Sequence, residues 1–215
     1  NINGNNMILS GGAVLLHGAS AIIENCTFEN NVAGHLGGAL AVDNYWYLDI
    51  ATINVRNSSF INNSILAPEG SPEGSKGGGI GFKDGVNAII INSLFENNLV
   101  KNTNNQARGG AIYAGGGFDS GLDQLIWIIN TRISRNIAEV TGGSEAQGGG
   151  LFMASPFALV NSVVDSNKTS TFEQGKGGEA GGVFIGVQSS PDQANEIGRS
   201  WLVNNTIVNN IANGN

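Results

Sequence analysis

The stretch Asn25-Cys26-Thr27-Phe28-Glu29-Asn30-Asn31 decides the fold, because it returns five more times along the chain. The other copies open at Asn57, Asn92, Asn130, Asn161 and Asn204, and read NSSFINN, NSLFENN, NTRISRN, NSVVDSN and NNTIVNN. Each copy begins and ends with Asn and carries Phe, Ile or Val at its fourth place. Their starts lie 32, 35, 38, 31 and 43 residues apart. A variable period around a constant core marks one supersecondary unit repeated, with insertions in its connections.

A second repeat alternates with the first. It runs Gly11-Gly12-Ala13-Val14, Gly37-Gly38-Ala39-Leu40, Gly77-Gly78-Gly79-Ile80, Gly109-Gly110-Ala111-Ile112, Gly148-Gly149-Gly150-Leu151 and Gly181-Gly182-Val183-Phe184. Each unit therefore reads as a Gly-Gly strand, a connection, an apolar strand ending at Asn, a sharp turn and a third short strand. Val, Ile, Phe and Thr favour strands, and helix-period stretches are missing. The expected fold is all-β: a single parallel β-helix of about six coils, each of three short strands. The crossover preference of parallel strands makes it right-handed.

The period-two alternation of strand side chains then sorts inside from outside. Two residues before the opening Asn stand Ile23, Val55, Ile90, Ile128, Leu159 and Leu202. Three residues after it stand Phe28, Phe60, Phe95, Ile133, Val164 and Ile207. The matching column of the Gly-Gly strand is Val14, Leu40, Ile80, Ile112, Leu151 and Phe184. The opening asparagines Asn25, Asn57, Asn92, Asn130, Asn161 and Asn204 are expected at turns. There Asn tolerates a left-handed backbone, and its amide can bond the amide of the next coil, a structural ladder expected to satisfy buried polar groups along the solenoid axis. Cys26, in a column with Ser58, Ser93, Thr131, Ser162 and Asn205, is expected to be a small buried residue.

The totals exclude several function classes. Of 215 residues only 13% are charged, and the net charge is −7. No basic stripe is available to neutralise phosphate, which excludes nucleic acid as a partner. One cysteine cannot make a disulfide framework, and no apolar run is long enough for a transmembrane helix, so this segment is not expected to insert in a membrane. Residues 1–215 read as one elongated unit with partial copies at both ends, so the chain is expected to be part of a longer one.

The pairing of GGA-plus-aliphatic with Phe-x-x-Asn resembles the repeats of the chlamydial polymorphic outer-membrane proteins and similar bacterial surface passengers. The matching residues are GGAV at 11–14, GGAL at 37–40, GGAI at 109–112, FENN at 28–31, FINN at 60–63 and FENN at 95–98. The last three copies replace Phe with Ile133, Val164 and Ile207, and three of the Gly-Gly units lack Ala. The resemblance implies a secreted, surface-exposed bacterial protein that acts as an adhesin.

Two places stand out as candidate sites. The outward positions of the second strand should be polar, and they are so only in the first two copies. From Ile89 onward they are Ile91, Trp127, Ile129, Ala158, Val160, Trp201 and Val203. Either a long insertion (115–124 or 187–199) folds over them, or a protein partner covers them, or Trp127 and Trp201 form an open platform for a glycan. Elsewhere, His17, Asp43 and Lys83 stand six places after the first glycine of consecutive copies, with Asp84 next along and Tyr45, Trp46 and Tyr47 close by. Acid, base and aromatic platform together are what a polysaccharide lyase or glycosidase needs. Asp119 with Asp123, and Asp192 with Glu196, are conceivable calcium ligands, but neither pair sits in the dense oxygen-ligand run that calcium wants, so no cofactor is expected. The leading expectation is a structural and adhesive surface rod. An enzyme and a fibre that self-associates along the rod or end to end are the alternatives.

Overall fold

The computed structural model of the chain describes residues 10–44, 50–67, 74–115, 125–142, 144–172, 177–186 and 200–214. These residues are all-β, with no helix among them. Their strands line up in parallel, repeat upon repeat, in four sheets of six strands each. The Gly-Gly strands form the first sheet: Val14–His17, Leu40–Asp43, Ile80–Lys83, Ile112–Gly115, Leu151–Met153 and Val183–Ile185. The second holds Ala21–Glu24, Ala51–Arg56, Val86–Ile91, Ile126–Ile129, Phe157–Val160 and Trp201–Val203. The heptads supply the third: Thr27–Glu29, Ser59–Ile61, Leu94–Glu96, Arg132–Ser134, Val163–Asp165 and Thr206–Val208. Sheets that each take one strand from every repeat make a parallel β-solenoid.

Three strands per coil is an undercount. A fourth strand follows each heptad: Val32–Ala33, Ser64–Leu66, Leu99–Asn102, Ile137–Val140, Lys168–Thr171 and Ile211–Asn213. A fifth sheet of two-residue strands, Ser75–Lys76, Ala107–Arg108, Ala146–Gln147 and Gly178–Glu179, runs just before the glycines. The returns to the next Gly-Gly, 101–108, 139–147 and 170–180, thus carry strand at both ends. Their Lys, Thr and Asn content hides the pattern, because each strand has only one or two inward places, such as Val100, Ala107 and Ala138.

The interior follows the expected columns almost throughout. Ile23, Val55, Ile90, Ile128, Leu159 and Leu202 are register partners in turn. So are Phe28, Phe60, Phe95, Ile133, Val164 and Ile207. The three phenylalanines stack with ring centroids 4.7 and 4.8 Å apart and planes within 5°. That is the strand spacing itself, so identical side chains interlock without strain, and each buried ring is worth about 1.5–3 kcal/mol.

The first sheet departs from expectation at its last strand. Leu151 pairs with Val183, whereas Phe184 pairs with Phe152 on the outer face. In five copies the first glycine takes a left-handed backbone, with φ of 62° to 74°. In the sixth, Ala180 holds that place, at φ 51°. Gly181 and Gly182 therefore fill the second and third places, and the one-residue shift moves Phe184 outward. The second glycine of each copy answers to space instead. A Cβ on Gly110 would lie 2.0 Å from the carbonyl oxygen of Gly149, so the neighbouring repeat leaves no room for one.

The heptad itself divides its labour residue by residue. The opening Asn is left-handed and exposed in all six copies, with φ between 48° and 56°. Its amide links outward neighbours: Asn92 Nδ2 donates to Asn57 Oδ1 at 3.4 Å, Asn204 to Asn161 at 2.9 Å, and Asn161 to Asn130. The second residue caps the turn. The hydroxyls of Ser58, Ser93, Thr131 and Ser162 each donate to the carbonyl two residues back and accept a backbone N–H from the previous repeat. Cys26 begins this column and is exposed, contrary to the buried position expected of it.

The buried ladder, expected of the opening Asn, is formed instead by the closing one, since the opening side chains lie at the exposed turn. Asn98 Oδ1 accepts from both the backbone N–H and the Nδ2 of Asn63 at 3.0 Å. Its own Nδ2 donates to Asn136 Oδ1 and to the Phe60 carbonyl, each at 2.9 Å. Asn31, Asn63, Asn136, Asn167 and Asn210 continue the same pattern. Asn98 thus satisfies both donors and both lone pairs of its amide without water. The sixth residue makes the second left-handed turn, where Asn30, Asn62, Asn97 and Asn209 alternate with Arg135 and Ser166.

Candidate functional site

The polar corner at the end of the first sheet is assembled by register. His17 pairs with Asp43, and Asp43 with Lys83, so all three sit at the same strand position in successive repeats. Lys83 Nζ lies 4.0 Å from Asp43 Oδ2, and both side chains are partly exposed. An ion pair of that length and exposure contributes little. Asp84 follows at φ 52° and Gly85 at φ 54°, and they turn the chain directly into the second sheet. The buried amide of Asn44 braces that turn by donating to the Gly85 carbonyl at 2.9 Å. Tyr45, Trp46 and Tyr47 lie outside the described residues, as do Asp119, Asp123, Asp192 and Glu196.

Beside this corner stands a cluster that the alternation rule does not reveal. Tyr113, Phe152 and Phe184 point outward from the first sheet and stack, with centroids 5.2 and 5.0 Å apart. The short fifth strands flank them. Lys76 Nζ sits 5.7 Å from the centre of the Tyr113 ring, and Arg108 Cζ 4.9 Å from that of Phe152. Arg108 Nε donates to Gln147 Oε1, and Gln147 Nε2 to Glu179 Oε2, each at 2.8 Å. Leu36 fills the space over Gly81 and completes the cover. Burial pushes the Tyr113 hydroxyl up to about 12, against the opposing charge and hydrogen bond of Arg108; Asp84 adds to the rise. At neutral pH the group therefore keeps its proton and is no general base. The available signal was an aromatic one place after the inward aliphatic (Ile112-Tyr113, Leu151-Phe152, Val183-Phe184), with Lys76, Arg108 or Gln147 ahead of the glycines.

The outer face of the second sheet is the other candidate. Ile89, Trp127, Ala158 and Trp201 are register partners in one column, and Ile91, Ile129, Val160 and Val203 in the next. Trp127 is 37% and Trp201 46% exposed, while Ala158 between them is 1% exposed. Neither column carries a charge over these four strands. The exposed row of Asn92, Asn130, Asn161 and Asn204 runs immediately alongside, one residue further on. On the other margin Asn87 Oδ1 accepts the backbone N–H of Leu125 at 2.8 Å. The structure thus brings Trp127 and Trp201 onto one face and His17, Asp43 and Lys83 onto one corner. Of the insertions 115–124 and 187–199, expected as lids for the face, Gly115 ends a strand of the first sheet and the rest lie outside the described residues.

A parallel β-solenoid is the class that these sheets define. Comparison with protein-family models, with curated proteins and with solved structures finds no match to this chain.

Proposed function

We infer that this chain forms a secreted or surface-displayed bacterial rod, structural and adhesive, that presents its second-sheet face to partners. The observation that carries this reading is the uncharged face around Trp127 and Trp201, held partly exposed on a scaffold braced by a buried ladder of paired asparagine amides. Exposed apolar patches of this kind mark contact surfaces. In this reading the rod is right-handed, with about six coils, and the rank of six strands in each long sheet supports that count. The likeness of its GGA-aliphatic and Phe-x-x-Asn repeats to chlamydial polymorphic outer-membrane proteins points the same way. The test is antibody labelling of intact source cells. Labelling without permeabilisation is the expected result; labelling only after permeabilisation overturns the surface reading.

A carbohydrate-active enzyme is the second reading, favoured by the alignment of His17, Asp43 and Lys83 at one corner. It requires Asp43→Asn to abolish turnover of a polysaccharide while leaving the melting temperature unchanged. Unchanged turnover in that variant rules the corner out as an active site.

A further inference from the structure

We propose that the outer face of the second sheet binds an uncharged β-linked polysaccharide, laid along the solenoid axis over Trp127 and Trp201. This rests on the reading of that face as a contact surface and names its ligand. The two indoles stand two strands apart in one register column, roughly 10 Å at the ~4.8 Å strand spacing. That interval is comparable with a disaccharide repeat in an extended β-linked chain, so alternate sugars meet an indole. Ala158 lies between them, too small to displace a sugar seated on either side. Indole is the ring suited to this work, with a broad apolar face for the C–H surface of a pyranose.

A separate observation points to the same ligand. Asn130, Asn161 and Asn204 form an exposed amide row at the margin of the sheet beyond Ile129, Val160 and Val203, three residues along from the indole column, repeating once per strand. Asn161 uses one Nδ2 proton on Asn130 and one Oδ1 lone pair on Asn204, which leaves one donor and one acceptor for a ligand. Sugar hydroxyls along one edge of a glycan need donors and acceptors repeated along the chain. An apolar protein surface or a lipid tail would leave these amides unmatched. The four strands from Val86–Ile91 to Trp201–Val203 carry no charge in these two columns, which selects a neutral glycan over an acidic one there.

The experiment titrates the full chain with cellohexaose and chitohexaose by calorimetry, with acrylamide quenching of tryptophan fluorescence read alongside. The native chain is compared with Trp127→Phe/Trp201→Phe, so that the difference in quenching reports these two indoles. Saturable binding that is insensitive to salt is the expected result. Trp127→Ala and Trp201→Ala each weaken it about tenfold, the Phe variants weaken it less, and all keep the native melting temperature. Asn130→Gly keeps the left-handed backbone but removes an amide, and is expected to weaken binding severalfold. Absence of binding while both indoles are quenched overturns the glycan and leaves a partner of other chemistry. Absence of binding with both indoles shielded means that the chain's own insertions cover the face, which overturns the contact-surface reading as well. Sedimentation that shows a dimer lost in Trp201→Ala makes a second copy the occupant and overturns the proposal.

Discussion

The two asparagines that bracket each heptad are the same residue in opposite circumstances. Asn92 opens its copy at φ 51° with its side chain in solvent; Asn98 closes it with its amide fully buried and bonded on every side. The first is used for its backbone, since Asn enters the left-handed region at less cost than other residues with a Cβ. The second is used for its amide, which has the donors and acceptors to reach the repeats before and after it. One letter in a motif therefore stands for two unrelated physical demands, and substitutions separate them.

The largest effect is expected at the buried ladder. Asn98→Ala leaves the backbone N–H of Asn63 and one of its two Nδ2 protons without an acceptor, and strips a donor from the Phe60 carbonyl. At about 1–3 kcal/mol for a buried group left unpaired, a loss of about 3 kcal/mol or more is expected in urea unfolding. Gly110→Ala comes next. Its Cβ would meet the Gly149 carbonyl at 2.0 Å, and a forced backbone shift of that kind costs about 1–3 kcal/mol.

Tyr113 extends the comparison, because it faces outward yet behaves as interior. Its hydroxyl is neutral in both states below pH 10, so its burial then adds no pH dependence. As pH rises from 10 towards 12 the unfolded chain loses this proton while the folded chain keeps it, so stability falls by about 2 kcal/mol over that window. Tyr113→Phe is expected to remove this part of the alkaline loss, as followed by melting temperature against pH. The smallest effect belongs to the outer asparagine. Asn92→Ala is expected to cost about 1 kcal/mol through the left-handed backbone, and Asn92→Gly almost nothing. Equal losses for Asn92→Ala and Asn98→Ala would erase the distinction.

Much of this architecture was legible in the sequence, for a specific reason. Phe60, Phe95 and their equivalents sit a constant distance from a constant Asn, so like stacks on like and the column can be counted. Counting misplaced Phe184 because Ala180 occupies a left-handed place that the other copies give to Gly. The fourth and fifth strands escaped because strands as short as Ala107–Arg108 have no period to read. The outward stack of Tyr113, Phe152 and Phe184 escaped for another reason: strands buried on both faces lose their alternation. At the sites, register was enough to bring Trp127 with Trp201 and His17 with Asp43 and Lys83. The pairing of the outer amide row with the indoles needed the structure, because the heptad spells its exposed and buried asparagines alike.

Side-chain amide hydrogen exchange, resolved by NMR, tests the central claim most directly. The Nδ2 protons of Asn63, Asn98, Asn136 and Asn167 are expected to exchange only through global unfolding, and those of Asn57, Asn92, Asn130 and Asn161 orders of magnitude faster. Comparable rates for the two sets would contradict a solenoid built on an inner ladder and an outer turn row.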